Sequence, residues 1–169
     1  MAYDEEAVAS AILSALSTNM GTVLASIKAE KGDGVTVPTP KLYYPSEQME
    51  IPDLSASNPV ITAMIESGKS IRVGDNAPRF FGGIREFDLS ALLTLGIVNN
   101  DETTLQTYCY RLSRAISSII WNNSQSGLRA LDATVMDETR DRTEMLGAEA
   151  GGFMKITHFN FTIRYKEGF

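Results

Sequence analysis

Histidine, cysteine and tryptophan each occur once in this sequence, at His158, Cys109 and Trp121. So thin a supply removes several kinds of chemistry at once. A zinc or other transition-metal site built from nitrogen and sulfur needs several such ligands, and His158 and Cys109 are the only candidates. A lone cysteine forms no internal disulfide, which agrees with assembly in a reducing cytoplasm. Cys109 falls on the apolar stripe of a helical pattern, the place of a buried thiol rather than a nucleophile. His158 lies mid-strand among aromatic neighbours, and no nucleophile–base pair can be assembled around it. Phosphate-binding loops are missing too. Gly32-Asp33-Gly34 is not followed by Gly-Lys-Ser/Thr, and Gly82-Gly83 precedes a strand rather than a helix. No catalytic residue, cofactor or metal is expected, and these residues point away from an enzyme.

Positive charge is scarce as well, with 15 Lys and Arg against 21 Asp and Glu for a net charge of −6. That balance disfavours tight binding of a phosphate backbone by the surface as a whole. It is compatible with an acidic lining past which DNA slides without sticking. No run of about 18 apolar residues stands out, so no membrane span is expected. The start, Met1-Ala2-Tyr3-Asp4-Glu5-Glu6, is acidic where a secretory signal is basic, so export by that route is not expected either. What remains is 169 residues with 43% apolar and 21% charged side chains, enough for a single domain with a core.

Within that span the pattern changes several times. Val8, Ile12, Leu16, Met20, Val23 and Ile27 recur at helical spacing and predict one helix over 4–31, with Gly21 as a possible break. Residues 32–59 hold five of the six prolines and predict an extended connector with a short edge strand around Leu42 to Tyr44. A connector this long is unusual in a compact domain and suits wrapping across a neighbouring subunit, with Tyr43 and Tyr44 as contacts. Strands are predicted at 60–66 and 70–73, separated by a turn at Ser67-Gly68-Lys69, and a loop spans 74–83. Phe87, Leu89, Ala91, Leu93, Leu95 and Ile97 alternate with polar residues, which completes the strand region 60–99.

Asn100 is the expected cap of a helix over 101–124, with Leu105, Cys109, Leu112, Ile116, Ile119 and Ile120 inward and Arg111, Arg114 and Ser118 on the opposite face. A C-terminal β-hairpin is predicted over 129–166. Leu131, Ala133 and Val135 alternate, and then Asp137, Glu138, Arg140, Asp141, Arg142 and Glu144 make both faces polar. This predicts a projecting arm over 137–152. The four acids suggest a calcium or magnesium site, but interleaved Arg140 and Arg142 compensate them and favour salt bridges to solvent or to another subunit. The arginines at 72, 79, 85, 111 and 114 read as solvated charges or, alternatively, as contacts to an acidic neighbour. The sum is an α+β fold, a mainly antiparallel sheet of about five strands flanked by two helices, with a long C-terminal hairpin.

An N-terminal amphipathic helix, Tyr43-Tyr44-Pro45 in a connector, Asn58-Pro59-Val60-Ile61 opening a strand, Asp101-Glu102 leading into Tyr108-Cys109-Tyr110-Arg111-Leu112, and a final hairpin make a recognisable order. This layout resembles the tail-terminator and tail-completion (head–tail joining) proteins of tailed bacteriophages. The resemblance implies a hexameric ring of like subunits in the virion, assembled in the host cytoplasm at the top of the tail. Such a ring ends tail-tube assembly, meets the tube protein below and a head-completion or neck protein above, and passes DNA through its hole without sequence-specific binding. Under that reading Asp137, Glu138, Arg140, Asp141, Arg142, Glu144, Tyr43, Tyr44, Arg111 and Arg114 are the expected inter-subunit contacts. Two alternatives stay open: another neck or tail component (head-completion, connector or tube protein), or a soluble module binding a small molecule between helix and sheet.

Overall fold

A computed structural model describes residues 5–45, 58–73, 84–122, 127–142, 146–147 and 152–168. The first helix, α1 (Glu5–Lys31), buries Val8, Ile12, Leu16, Met20, Leu24 and Ile27 along one stripe, with Glu5 and Glu6 in its first turn and Lys28 and Lys31 in its last. That charge order suits the helix dipole. The helix runs through Gly21 without a break. A methyl group there would meet only Thr39 Cγ2, at 3.9 Å, an ordinary contact. Gly21→Ala is therefore expected to stabilise the protein by about 1 kcal/mol, through helix propensity alone. A shift in the urea midpoint at constant slope checks it.

By length and composition α1 also meets the criterion for a membrane-crossing helix, which the sequence reading did not register. In this fold its apolar stripe is spent on the interior: Ile12 and Leu16 are fully buried against the sheet and the second helix.

After α1 come β1 (Leu42–Pro45), β2 (Val60–Val73) and β3 (Ile84–Asn99), then α2 (Glu102–Trp121), a 3-10 turn (Leu128–Leu131), β4 (Ala133–Arg142), the two-residue β5 (Leu146–Gly147) and β6 (Phe153–Gly168). The sheet order is β1-β2-β3-β6-β4, with β5 also on β6. Only β1 is parallel to its neighbour. The fold is α+β, two helices on one face of a mainly antiparallel sheet, and it carries the C-terminal hairpin.

Leu89, Ala91, Leu93, Leu95 and Ile97 of β3 and Phe159, Phe161 and Ile163 of β6 face the helices and are buried. Each large side chain so buried contributes about 1.5–3 kcal/mol. The other face is covered by neither helix; Glu86, Asp88, Asn160, Arg164 and Lys166 share it with Leu92, Val98 and Met154, while Val60, Thr62, Thr94 and Ile156 on it are buried. Only the end of that face around Glu86, Asp88, Arg164 and Lys166 shows the wet side expected of an antiparallel sheet.

Four local expectations change. Ser67-Gly68-Lys69 is not a turn: β2 is one strand from Val60 to Val73, because β3 is long enough to pair with all of it. Bulges between Ile65 and Ser67 and between Ser70 and Arg72 absorb the irregular residues. Asp101, not Asn100, caps α2. The helix begins at Glu102, so the cap falls at 101, where Oδ2 of Asp101 accepts from the Thr104 N–H at 2.7 Å. Arg111 is not on the wet face of α2 but is 7% exposed. Finally, residues 137–142 do not project from the sheet: Asp137 to Arg142 pair with Thr162 to Thr157 of β6. A bulge between Val135 and Asp137 reverses the phase of β4 at Met136, which puts Glu138 and Arg140 on the helix side. Residues 143–145 and 148–151 lie outside the described residues, and so does the loop expected at 74–83.

Candidate interaction surfaces

The residues singled out by sequence separate into an inward group and an outward group. The connector after α1 folds back over α2. Asp33 and Arg111 form an ion pair, Arg111 Nη1 donates to the Val35 carbonyl at 3.2 Å, and the Val35 N–H donates to Asp33 Oδ1 at 3.1 Å. One helical turn along, Arg114 donates through both terminal nitrogens to Glu30, at 2.9 and 2.6 Å. Val37 and Pro40, beyond this clasp, are buried. The described partners of Arg111 and Arg114 are thus acids of the same chain. The matched spacings Glu30-x-x-Asp33 and Arg111-x-x-Arg114 were the signal for this in the sequence.

Both acids respond electrostatically. Hydrogen bonding to Arg114 holds the Glu30 carboxyl below its ordinary 4.5, and hydrogen bonding to Arg111 holds Asp33 below 3.8. The Thr104 contact does the same for Asp101. A carboxyl whose folded value is depressed stabilises the fold above its ordinary value and loses that contribution as pH falls through the folded one. Stability is therefore expected to hold steady above these values and to fall progressively below pH 4.5. Melting temperatures measured between pH 3 and 6 check this, and the slope should shrink in Glu30→Gln. The exposed Glu30–Arg114 pair should also weaken in high salt.

A second cluster joins α2 to β4. Glu138 accepts hydrogen bonds from Ser117 Oγ at 2.6 Å, from Trp121 Nε1 at 2.7 Å and from Arg140 Nε. Arg140 also donates to Ser117 Oγ at 2.5 Å, and its guanidinium lies 5.6 Å from the centre of the Phe159 ring. Burial raises the Glu138 pKa, but the three hydrogen bonds and the Arg140 charge outweigh it and leave the carboxyl below 4.5. Two of the residues expected to reach another subunit are thus committed inside the chain.

The outward group lies on the sheet face away from the helices. Arg164 pairs with both carboxylate oxygens of Asp88 at 3.0 and 3.1 Å, and Lys166 lies 3.5 Å from Glu86. Ser90 donates to Asn160 at 3.0 Å, and Thr94 and His158 share a hydrogen bond of 3.0 Å. Asp141 sits in register with His158 and Asp137 with Thr162. Both aspartates are exposed and neither has an ion-pair partner among the described residues. Met136, at the bulge, is 46% exposed, and on α2 Tyr110 and Trp121 are 51% and 45% exposed.

Tyr43 lies in β1 opposite Ile61, half-buried, and burial pushes its hydroxyl up to about 12. The side chains of Tyr44 and Arg142, and all of Glu144, lie outside the described residues. Among the described residues no three His, Cys, Asp or Glu side chains stand close enough to hold a metal ion.

No protein-family model matches the chain, and no curated protein sequence does either. Among solved structures, a chain from the "Virion of native gene transfer agent (GTA) particle" aligns over 95% of this chain and 98% of its own length, at 13% identity and a TM-score of 0.41. A likeness at that level carries no functional argument by itself.

Proposed function

We propose that this chain is a structural protein of a tailed-phage virion. In this reading it forms a ring of six like subunits at the top of the tail, ends tube assembly there and joins the tube to the head-side neck proteins. The observation that carries the reading is the asymmetry of the sheet. One face is sealed by α1 and α2. The other is covered by neither helix, pairs Arg164 with Asp88 and Lys166 with Glu86 within the sheet, and presents Asp137 and Asp141 without an ion-pair partner among the described residues.

A closed ring of identical subunits needs two different, complementary patches on each copy. The β4 edge, with Met136 between polar neighbours, supplies one. The ridge of α2 with Tyr110 and Trp121 supplies the other, in residue types that favour protein contacts. A chain with a net charge of −6 does not retain a phosphate backbone over its surface as a whole, which suits a passage for DNA. On this reading the chain does no chemistry. The interface candidates narrow to Asp137, Asp141 and the side chains around them, since Glu138, Arg140, Arg111 and Arg114 have partners within the chain.

Deleting the gene from its phage and imaging the lysate tests the reading. Headless tails of uncontrolled length are expected, and the gene supplied in trans should restore virions. Filled heads without tails would assign the chain to head completion instead, and normal virions would overturn both.

A further inference from the structure

Asp33-Gly34 is the only Asp-Gly pair in the sequence, and no Asn-Gly pair occurs. Both residues lie where the connector turns off α1, and both are exposed. Oδ1 of Asp33 accepts the Val35 N–H, which folds the carboxyl back over the Gly34 peptide in an Asx turn. Gly34 has a φ of +73° and no side chain to shield its nitrogen. A Cβ added at Gly32 or Gly34 would meet nothing within 4 Å among the described residues, so the turn has room for an extra backbone atom. The second carboxylate oxygen of Asp33 pairs with Arg111, whose guanidinium also donates to the Val35 carbonyl.

We infer that Asp33 is a site of spontaneous isomerisation to isoaspartate, that the Arg111 pairing restrains the reaction, and that its product releases the connector from α2. The Gly34 nitrogen attacks the side-chain carboxyl carbon of Asp33 and gives up its proton. A C–N bond forms, a C–O bond breaks and water leaves, which closes a five-membered succinimide. Water then opens either carbonyl of the ring. One opening restores aspartate; the other leaves isoaspartate, with the main chain running through the former side chain. Nothing is oxidised or reduced, and the net mass is unchanged.

The reactive form is the protonated carboxyl, because a carboxylate has no hydroxyl to lose as water. Arg111 stabilises the carboxylate and so keeps that form rare while the clasp is closed. In isoaspartate the main chain gains one methylene and the carboxylate sits directly on the α-carbon. Its oxygens no longer bridge Arg111 and the Val35 N–H in the geometry described. Arg111, only 7% exposed, is then left without its counter-charge, which favours opening of the clasp.

The test incubates the full chain beside a synthetic peptide of residues 32–41, the piece that trypsin releases between Lys31 and Lys41. Isoaspartate is counted by reversed-phase separation of that tryptic peptide at constant mass, and by methyl transfer from S-adenosylmethionine with isoaspartyl methyltransferase. At neutral pH the free peptide is expected to isomerise about tenfold faster than the folded chain. Arg111→Gln, shown to be folded by circular dichroism, should isomerise at least about fivefold faster than the parent. Asp33→Glu should yield no isomer, since its ring would have six members. In the isomerised parent, hydrogen exchange at the amides of Val35 to Val37 should rise at least about tenfold.

A parent chain that isomerises as fast as the peptide would overturn the restraint. A folded Arg111→Gln protein as slow as the parent would overturn its assignment to Arg111. Should that variant not fold, the parent in molar sodium chloride decides: a rate that rises in the chain and not in the peptide supports the restraint, and an unchanged rate overturns it. Absence of isoaspartate from parent and peptide alike, or unchanged exchange at Val35 to Val37 in the isomerised chain, would overturn the inference. None of these outcomes depends on whether the chain forms a ring.

Discussion

Glu138→Ala is expected to lower stability by about 1–3 kcal/mol, the cost of leaving partly buried polar groups without their acceptor. The Glu138 carboxylate is 9% exposed and accepts from three donors at once, so its loss leaves Ser117 and Trp121 without their acceptor and Arg140 with only the Ser117 hydroxyl. Arg140 suffers most, because a guanidinium lying against the Phe159 ring loses its counter-charge. Glu138→Gln keeps the shape but turns an amide N–H₂ toward a donor, and is expected to cost about half as much. Adding Arg140→Met to Glu138→Ala should recover part of the loss, since the orphaned charge goes with it. Trp121 is the only tryptophan, so urea unfolding followed by fluorescence reports on this cluster directly. A Glu138→Ala protein within about 0.5 kcal/mol of the parent would show the network to be ornamental.

The second large effect concerns Asn58. Its side chain donates to the Val98 carbonyl at 2.7 Å and accepts from the Val98 N–H at 2.9 Å. Val60 pairs with Gly96, so residue 58 stands opposite residue 98, and the amide extends the β2–β3 ladder by one rung. The following Pro59 has no N–H to offer. Asn58→Ala leaves two partly buried backbone groups unpaired and is expected to cost about 2 kcal/mol. Asn58→Asp should cost more at neutral pH, about 3 kcal/mol, because a carboxylate oxygen then faces the Val98 carbonyl. Protonation restores a donor there, which raises the pKa of the new carboxyl in the folded state. The difference from the parent at matched pH should therefore shrink as pH falls below that raised value. A difference that stays constant from pH 7 to pH 4 would contradict the assigned contact.

How much of this was legible in the residues depended on whether the signal was local. The stripe from Val8 to Ile27 and the alternation from Phe87 to Ile97 repeat over many residues, and both elements stand where the pattern places them. Ser67-Gly68-Lys69 carries a turn's composition, yet a partner strand of sufficient length kept it extended. The acids and arginines after Val135 looked like a solvated arm because alternation fails there. The cause is one extra residue at Met136, after which the strand presents Glu138 and Arg140 to Ser117 and Trp121 on α2. A polar stretch with polar partners 17 and 21 residues upstream leaves no periodic mark.

The order of strands also has a temporal side. β3 lies between β2 and β6 in the sheet, and β6 follows α2 and the whole of β4 in the chain. During synthesis the most apolar strand of the protein is thus made early and waits with one edge bare until the last of these strands emerges. Closing contacts between segments so far apart is slow, and a bare apolar edge invites pairing with other chains meanwhile. Expression at lower temperature or with chaperones in excess should raise soluble yield, and premature termination before Phe153 should send the product into aggregates.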